Sequence, residues 1–257
     1  MVNNKQVTHN QHYVWQKYLE PWLTDNKIWW ERKGVIKNTG TKSILFLHDN
    51  YKISKLNKLE KVMLEKLFIE DKRKPVELAN KKLALQFETI DSIEVVSRGT
   101  LNEIISDFRI QQGEDMMSQS ESLGSFALSR LRNEDMSFFD YDRYADSLVE
   151  FLLFLNYQYF RTKKIKDNIV KTMNPRNKII QEQFKTNTEI DWEKIVSIGV
   201  HFFANKITYG VLVSEKKFFI KMLIDSESRL ITSDQPVINT LGSDDPNIPT
   251  EELEYYY

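Results

Sequence analysis

The sequence predicts an α+β fold that is mainly α-helical. Glycine and proline are scarce for a chain of 257 residues, at 8 and 6, which favours long helices over many short strands. Apolar residues recur at helical spacing through most of the chain. Two turn-bounded apolar regions indicate a small N-terminal β-ribbon and a C-terminal β-hairpin. We expect both to pack on a helical core with a central buried helix at about residues 141–169.

Composition narrows the class of protein. Hydrophobic residues make up 41% of the chain and charged residues 28%, which is typical of a folded globular protein. The net charge of -1 provides no overall basic field for nucleic acid. The absence of cysteine excludes disulfides, thiolate zinc sites and cysteine nucleophiles. The richness in Asn, Lys and Ile is typical of a bacterial protein from an AT-rich genome.

The first residues and the apolar runs of the chain indicate whether it is secreted or crosses a membrane. The first residues are polar and lack the apolar stretch of a signal peptide. The longest apolar run lies within Leu148–Phe160, is broken by polar residues and is too short to cross a bilayer. We therefore expect a soluble, cytoplasmic protein without membrane contact. We also expect one domain over residues 1–257 that lacks its last C-terminal strands, because the chain stops soon after the predicted hairpin.

The N-terminal elements follow from spacing and turn residues. A helix is predicted over Gln11–Glu20, ending at Pro21. Two apolar runs, Ile28–Trp30 and Ile44–Leu47, flank the turn-rich "GVIKNTG", which predicts the β-ribbon.

Helical spacing then continues along most of the chain. A polar loop or frayed helix start is expected at "QQGEDMMSQSES", between two helices. The central helix is apolar around nearly its whole circumference from Leu148 to Phe160, which predicts neighbours on all sides. The late hairpin is expected around "DSES". The other predicted helices are Leu56–Phe68, one from Pro75, Thr100–Arg109, Glu121–Leu131, and those in "RNKIIQEQFK" and "DWEKIVSIGVHFFANKI".

Polar residues at positions expected to be buried identify candidate sites, because burial of a polar group must be compensated. On the predicted first helix, His12 and Gln16 share a face with Trp15 and Leu19. They are either a site histidine with its amide partner or a buried pair that satisfies local backbone. Residue His9 is expected to face solvent.

A second candidate set lies on the central helix. Here Arg161 and Glu150 lie on one stripe of the helix surface, and Gln158 lies beside that stripe. A buried guanidinium requires a carboxylate, a phosphate or several carbonyls. It therefore either binds an anionic substrate or pairs with an internal carboxylate, or it already lies at the exposed start of the basic segment that follows.

Two further positions complete the set. Glu121 is either a partner of Arg161, a metal ligand or an acid favoured in the first turn of a helix. Ser233 and Asp234 come at the end of a β-run before Pro236. Such a position either presents site groups rigidly or simply makes turn hydrogen bonds.

These stretches together resemble a bacterial family known as a domain of unknown function, number four-two-three-eight. The start "HYVWQKYL" is similar to the family's "HYVPQFYLRRF", and "LITSDQPV" is similar to its "ITSDNPV". The stretches "SQSESLGSFALSRL" and "FLLFLNYQYFRTKK" match a glutamate-bearing helix and "FIAxQxxRTP" more weakly. Trp15, Lys163 and Gln235 depart from the pattern. The resemblance implies no reaction, but it implies seven polar motif residues: His12, Gln16, Glu121, Gln158, Arg161, Ser233 and Asp234.

Two hypotheses follow for function. In the first, the protein is a hydrolase or a nuclease-like effector, as in bacterial defence, that acts on a phosphate-containing substrate. His12, Asp234 and Glu121 are then catalytic, and a divalent cation with oxygen ligands is an open cofactor. In that hypothesis Gln16, Gln158, Arg161 and Ser233 bind substrate. In the second, the same residues form a structural polar network in a non-catalytic binding or interaction protein.

The nature of the partner stays open at this stage. The basic segment from Arg161 to Lys178 could follow a phosphate backbone. A solvated helix end is the commoner meaning of such a run, so nucleic acid is not favoured. A protein partner fits the second hypothesis.

Overall fold

The computed structural model describes residues 7–213, 221–224, 227, 231–239 and 255–256. It confirms the predicted α+β fold that is mainly helical. The strands are short and antiparallel, and they pair as β1–β4, β2–β3 and β5–β6. The strand bounds are β1 Asn10–His12, β2 Ile28–Arg32, β3 Val35–Thr39, β4 Phe46–His48, β5 Ile238–Asn239 and β6 Tyr255–Tyr256. The helix bounds are α1 Lys58–Leu64, α2 Lys74–Val96, α3 Asn102–Leu131, α4 Tyr141–Phe160, α5 Lys163–Met173, α6 Asn177–Phe184 and α7 Trp192–Val213.

The predicted first helix over Gln11–Glu20 is wrong. Its first part is strand β1, which pairs with β4 so that Gln11 faces Leu47. A 3-10 helix, Gln16–Trp22, follows and includes Pro21. The Gln11 side chain accepts a hydrogen bond from the Tyr51 backbone N–H at 2.6 Å. These contacts with residues far along the chain stabilise an extended backbone where local spacing favours a helix.

The predicted β-ribbon is present, but its pairing differs. Strand β2 pairs with β3, which lies inside the segment expected to be the turn. The actual turn is at Lys33 and Gly34, whose φ angles are +55° and +78°. Two consecutive positive φ angles are the geometry of the two-residue turns that match strand twist. The second predicted run, Ile44–Leu47, contributes to β4 instead and pairs with β1.

The polar stretch predicted as a loop lies inside a single helix, α3. The prediction of two separate helices is therefore wrong at this point. A Cβ atom on Gly113 would lie 1.8 Å from the Tyr51 carbonyl oxygen. Glycine here lets helix α3 approach the N-terminal segment, residues 7–57, closely. Met117 and Ser120 are buried along the same helix. A residue that weakens a helix locally is thus retained because tertiary packing requires its small size.

The central helix is confirmed in its buried part and corrected at its end. Helix α4 contacts both α3 and α7, and Leu148, Phe151 and Phe154 are buried. It ends at Phe160 rather than near residue 169, because Thr162 adopts an extended backbone with ψ of 144°. Helix α5 then begins at Lys163. This break places Arg161 at the junction of two helices.

Helix α7 completes the helical core. It is long and apolar enough to cross a membrane by length and composition, with half of its apolar window buried inside the protein. Trp192, Ile195 and Phe202 pack into a hydrophobic cluster with residues of α1 and α2. Helix α7 is therefore packed as a core helix, with α1 and α2 against its apolar face.

The C-terminal expectations fall mostly on residues that are not described. The predicted hairpin around "DSES" lies largely outside the described residues. Strand β5, which follows the predicted hairpin turn, pairs with β6 in antiparallel register, with Ile238 opposite Tyr256. The expectation of one domain that lacks further strands stays a prediction.

Candidate functional site

Arg161 is fully enclosed, with a side chain that is 0% exposed. Its Nη1 donates to Oε1 of Glu121 at 2.7 Å. Its Nε donates to the Tyr13 carbonyl oxygen at 3.1 Å. The guanidinium charge is therefore compensated by an internal carboxylate, as one sequence-based alternative predicted.

The helices around Arg161 explain this geometry. Glu121 lies well inside α3, so an interaction with the start of a helix is not the reason for an acid at this position. A Cβ atom on Gly124 would lie 2.4 Å from the Phe154 ring, which shows how closely α3 and α4 approach. Because α4 ends where Thr162 becomes extended, Arg161 lies at the end of α4, and its side chain contacts both Glu121 on α3 and the carbonyl of Tyr13.

His12 and Gln16 are in contact, although not for the predicted reason. The Gln16 side-chain nitrogen lies 3.0 Å from Nδ1 and 2.9 Å from Nε2 of His12. The Tyr51 hydroxyl donates to the His12 carbonyl oxygen at 2.6 Å. Burial lowers the pKa of His12, and this effect together with the Arg161 charge outweighs backbone contacts with Thr41 and Lys42, which raise the pKa. The imidazole is therefore neutral at neutral pH.

Ser233 and Asp234 lie on an exposed turn. The Ser233 hydroxyl accepts a hydrogen bond from the Gln235 N–H at 3.0 Å, as in ordinary serine turns. Burial raises the pKa of the Tyr13 phenol, and the Asp234 carboxylate raises it further. Asp234 therefore lies near Tyr13, the residue whose carbonyl Arg161 holds. That His12, Arg161 and Asp234 share one site stays a prediction.

Gln158 differs from the other predicted residues in its lack of partners. Its side chain is fully buried one turn before Arg161. Neither its oxygen nor its nitrogen has a hydrogen-bond partner among the described residues. A buried amide without partners is costly in a purely structural network.

Some cations of the predicted basic segment, Arg161 to Lys178, form contacts within the protein. Lys166 donates to Oδ1 of Asn50 at 2.6 Å, and burial lowers the pKa of Lys166 to about 8. Lys163 forms an ion pair with Asp167. Because Arg161 is also buried and paired, Arg161 and Lys166 are not free to follow a phosphate backbone, whereas the ion pair of Lys163 is exposed.

A second buried arginine, Arg109 on α3, was missed by the sequence reasoning. Its Nη2 donates to Oδ1 of Asp91 and to Oε2 of Glu94, both at 2.7 Å. Its Nη1 donates to the Ile53 carbonyl oxygen at 3.3 Å. An arginine in a stretch expected to be an amphipathic helix gives no signal of burial, because its enclosure comes from carboxylates on α2 and a carbonyl of the segment before α1.

A cleft between α2, α3, α4 and α7 was also missed. Its volume is about 550 Å³, within the range of small-molecule sites. Leu83, Ile90, Phe108 and Leu153 are among its apolar walls. Within the described part of the chain, its lining includes no carboxylate, lysine, arginine or histidine. The polar lining residues are Gln86, Thr89, Gln112, Gln119, Ser120, Tyr157 and Asn205.

Comparison with known proteins gives one match. A family model described as "Protein of unknown function (DUF4238)" matches residues 10–256. No curated protein matches. No solved structure matches.

Proposed function

The chain belongs to DUF4238, and we propose that it is a non-catalytic binding protein in which most polar motif residues stabilise the fold. The observation that carries this proposal is the complete enclosure of Arg161. A guanidinium that is 0% exposed and already pairs with Glu121 is not available to a substrate phosphate. Its ion pair and carbonyl contact instead join α3, α4 and the N-terminal segment.

The arrangement around Arg109 supports the same conclusion. Arg109 also combines a carboxylate pair with a backbone carbonyl of the N-terminal segment. It lies outside all the family-like stretches. Since the same geometry occurs where no motif is present, it needs no catalytic explanation at Arg161.

The cleft between α2, α3, α4 and α7 is the binding site that we propose. The amides of Gln86, Gln112 and Gln119 make no hydrogen bond to another described residue. Glutamine and asparagine amides pair well with planar groups that carry adjacent donors and acceptors. Apolar walls suit the faces of a flat ring. We therefore propose an uncharged, planar ligand of the nucleobase or nucleoside type.

Charge gives the sharpest test of this ligand class. Titration calorimetry with four uncharged nucleosides and with their 5′-monophosphates compares ligands that differ only in phosphate. We expect at least one nucleoside to bind with Kd below about 1 mM, equivalent to about 4 kcal/mol. The monophosphate should bind more weakly, because the cleft offers no cation among its described lining residues. Absence of nucleoside binding, or tighter binding of the monophosphate, would overturn the proposal.

Variants then locate the binding. Gln112→Ala should weaken nucleoside binding by about tenfold, equivalent to about 1.4 kcal/mol. Gln183→Ala is the matched control, because Gln183 is exposed on α6 and lies outside the cleft. Equal affinity of both variants would place binding elsewhere.

A second candidate function is hydrolysis of a phosphate-containing substrate, as in a nuclease-like effector of bacterial defence. Two observations favour it: the lowered pKa of His12, which leaves a neutral imidazole able to accept a proton, and the unpartnered amide of Gln158. Here Asp234 and Ser233 would complete the site, with a divalent cation held by carboxylates and a cytoplasmic location.

The His12→Ala variant distinguishes the two candidates. Nuclease activity and toxicity in bacterial cells are compared with wild type, with the fold checked by circular dichroism. Loss of activity with an intact fold supports hydrolysis. Absence of nuclease activity and toxicity in the wild type supports the binding protein.

A further inference from the structure

Two of the four histidines in the chain lie side by side at one end of the β1–β4 pair. We propose that His9, His48 and Asp49 form a binding site for a divalent transition-metal ion of the Zn²⁺ type. None of these residues belongs to the polar motif set or to the cleft. The site is therefore independent of the proposed function.

The three side chains already converge on one point. Oδ1 of Asp49 lies 2.8 Å from Nδ1 of His9, and Oδ2 lies 3.3 Å from Nδ1 of His48. The potential ligand atoms all lie within 4.8 Å of one another. Small side-chain rotations would place all three atoms about 2.0–2.2 Å from a common ion.

The two imidazole rings are held parallel. Their centroids are 5.0 Å apart and the angle between their planes is 10°. Both rings present Nδ1 to the same carboxylate, so the nitrogen atoms lie on the same side of the stack. A pair of nitrogens facing one carboxylate is a ligand set that suits Zn²⁺, Ni²⁺ or Cu²⁺, whereas Mg²⁺ and Ca²⁺ prefer oxygen ligands alone.

The backbone fixes this arrangement before any ion binds. The Asp49 N–H donates to the His9 carbonyl oxygen at 2.8 Å, and His48 pairs with Asn10 in the β1–β4 register. Asp49 has a φ of +51°, a left-handed conformation that turns its carboxylate back toward the strands. Because the backbone is already ordered, an ion would order only three side chains.

Exposure leaves room for the remaining ligands. The side chains of His9 and His48 are 47% and 69% exposed, and that of Asp49 is 24% exposed. Three protein ligands with solvent beside them leave at least one coordination position for water. Binding would also join β1 to the residue that follows β4, and so stabilise the folded state.

The test uses the full chain with any affinity tag removed. Zn²⁺ is titrated by calorimetry, Co²⁺ by its visible absorption, and the melting temperature is measured with and without Zn²⁺. We expect one ion per chain, a Co²⁺ spectrum of nitrogen and oxygen ligation, and a higher melting temperature with Zn²⁺. His48→Ala and Asp49→Asn should each weaken Zn²⁺ binding by at least about tenfold, as loss of a metal-site group does.

Asp25→Asn is the matched control. Asp25 is exposed and has a similar φ of +52°, but it lies outside this cluster. It should leave Zn²⁺ affinity unchanged. The proposal is overturned if wild type takes up no Zn²⁺ with Kd below about 0.1 mM, equivalent to about 5.5 kcal/mol. Equal affinity in His48→Ala and wild type would also overturn it. Since the His48 side chain is mostly exposed, its removal should not unfold the chain.

Discussion

Arg161 and Arg109 hold the N-terminal segment to the helices in similar ways. They differ in whether their partner carboxylates have a second cation. Each pairs with carboxylates and donates to a carbonyl of that segment, at Tyr13 or at Ile53. Around Arg109, the carboxylates have other cations. Glu94 also pairs with Lys55 at 2.8 Å, and Asp91 pairs with Lys61 at 2.5 Å.

Around Arg161 the carboxylate has no such second ion pair among the described residues, since Glu121 pairs with Arg161 alone. Two contacts of similar geometry therefore need not contribute equally to stability. What matters is whether a charge stays compensated after its partner is lost. Side-chain substitutions at the two positions therefore test the structural role of the motif arginine directly.

Arg161→Ala should have the largest effect. It leaves the Glu121 carboxylate without its cation and the Tyr13 carbonyl without a donor. We expect a loss of about 3–5 kcal/mol in the free energy of unfolding, as for other buried pairs broken on one side. Urea unfolding measures it, with Arg143→Ala as the control at a side chain that is 78% exposed. A loss below about 1 kcal/mol would contradict the proposal that Arg161 stabilises the fold.

Arg109→Ala should cost less, because Lys55 and Lys61 still compensate Glu94 and Asp91. The lost hydrogen bonds to charged groups predict about 1.5–3 kcal/mol. The measurement is the same urea series, read as a difference from Arg161→Ala. If Arg109→Ala lowers the free energy of unfolding more than Arg161→Ala does, Lys55 and Lys61 do not compensate the carboxylates as expected.

A pH series adds an effect that neither arginine produces by its own titration. Burial lowers the pKa of His201 on α7 to about 3, below its ordinary value of about 6.5. The unfolded chain therefore binds the proton first. The contribution of neutral His201 to stability is complete above pH 6.5 and is lost as pH falls toward 3. The expected slope is about 1.4 kcal/mol per pH unit.

The control for this series is His201→Gln, which cannot titrate. The difference in unfolding free energy between wild type and this variant should shrink from pH 7 to pH 4. His201→Leu serves as a second variant if the amide disturbs packing. A difference that does not change with pH would show that His201 is not held neutral in the folded state.

The sequence predicted the helical regions best where apolar spacing was continuous. The buried part of α4 and the start of α2 at Pro75 follow from spacing and proline geometry alone. The continuous helix α3 did not, because Gly113 has the local properties of a helix breaker. Its small size is explained only by Tyr51, which lies far away in sequence.

The candidate site was predicted in part. The resemblance and the helical spacing selected His12 with Gln16, and Arg161 with Glu121, and both pairs are in contact. The spacing argument for the first pair was wrong, since His12 lies in a strand. The cleft and the pair His9 and His48 were not found, because each gathers residues from segments that no local pattern connects.

The sequence by itself determined which residues are apolar, and therefore which helices form and bury their faces. Only the tertiary structure decided the backbone of the N-terminal segment. Its local spacing fits a helix, but β1 gains hydrogen bonds from β4 and from the Tyr51 backbone. Tertiary structure also decided that Arg161 meets Glu121 rather than solvent. The physical reason is that burial and charge compensation depend on neighbours from distant parts of the chain, whereas helical propensity depends on residues within a turn or two.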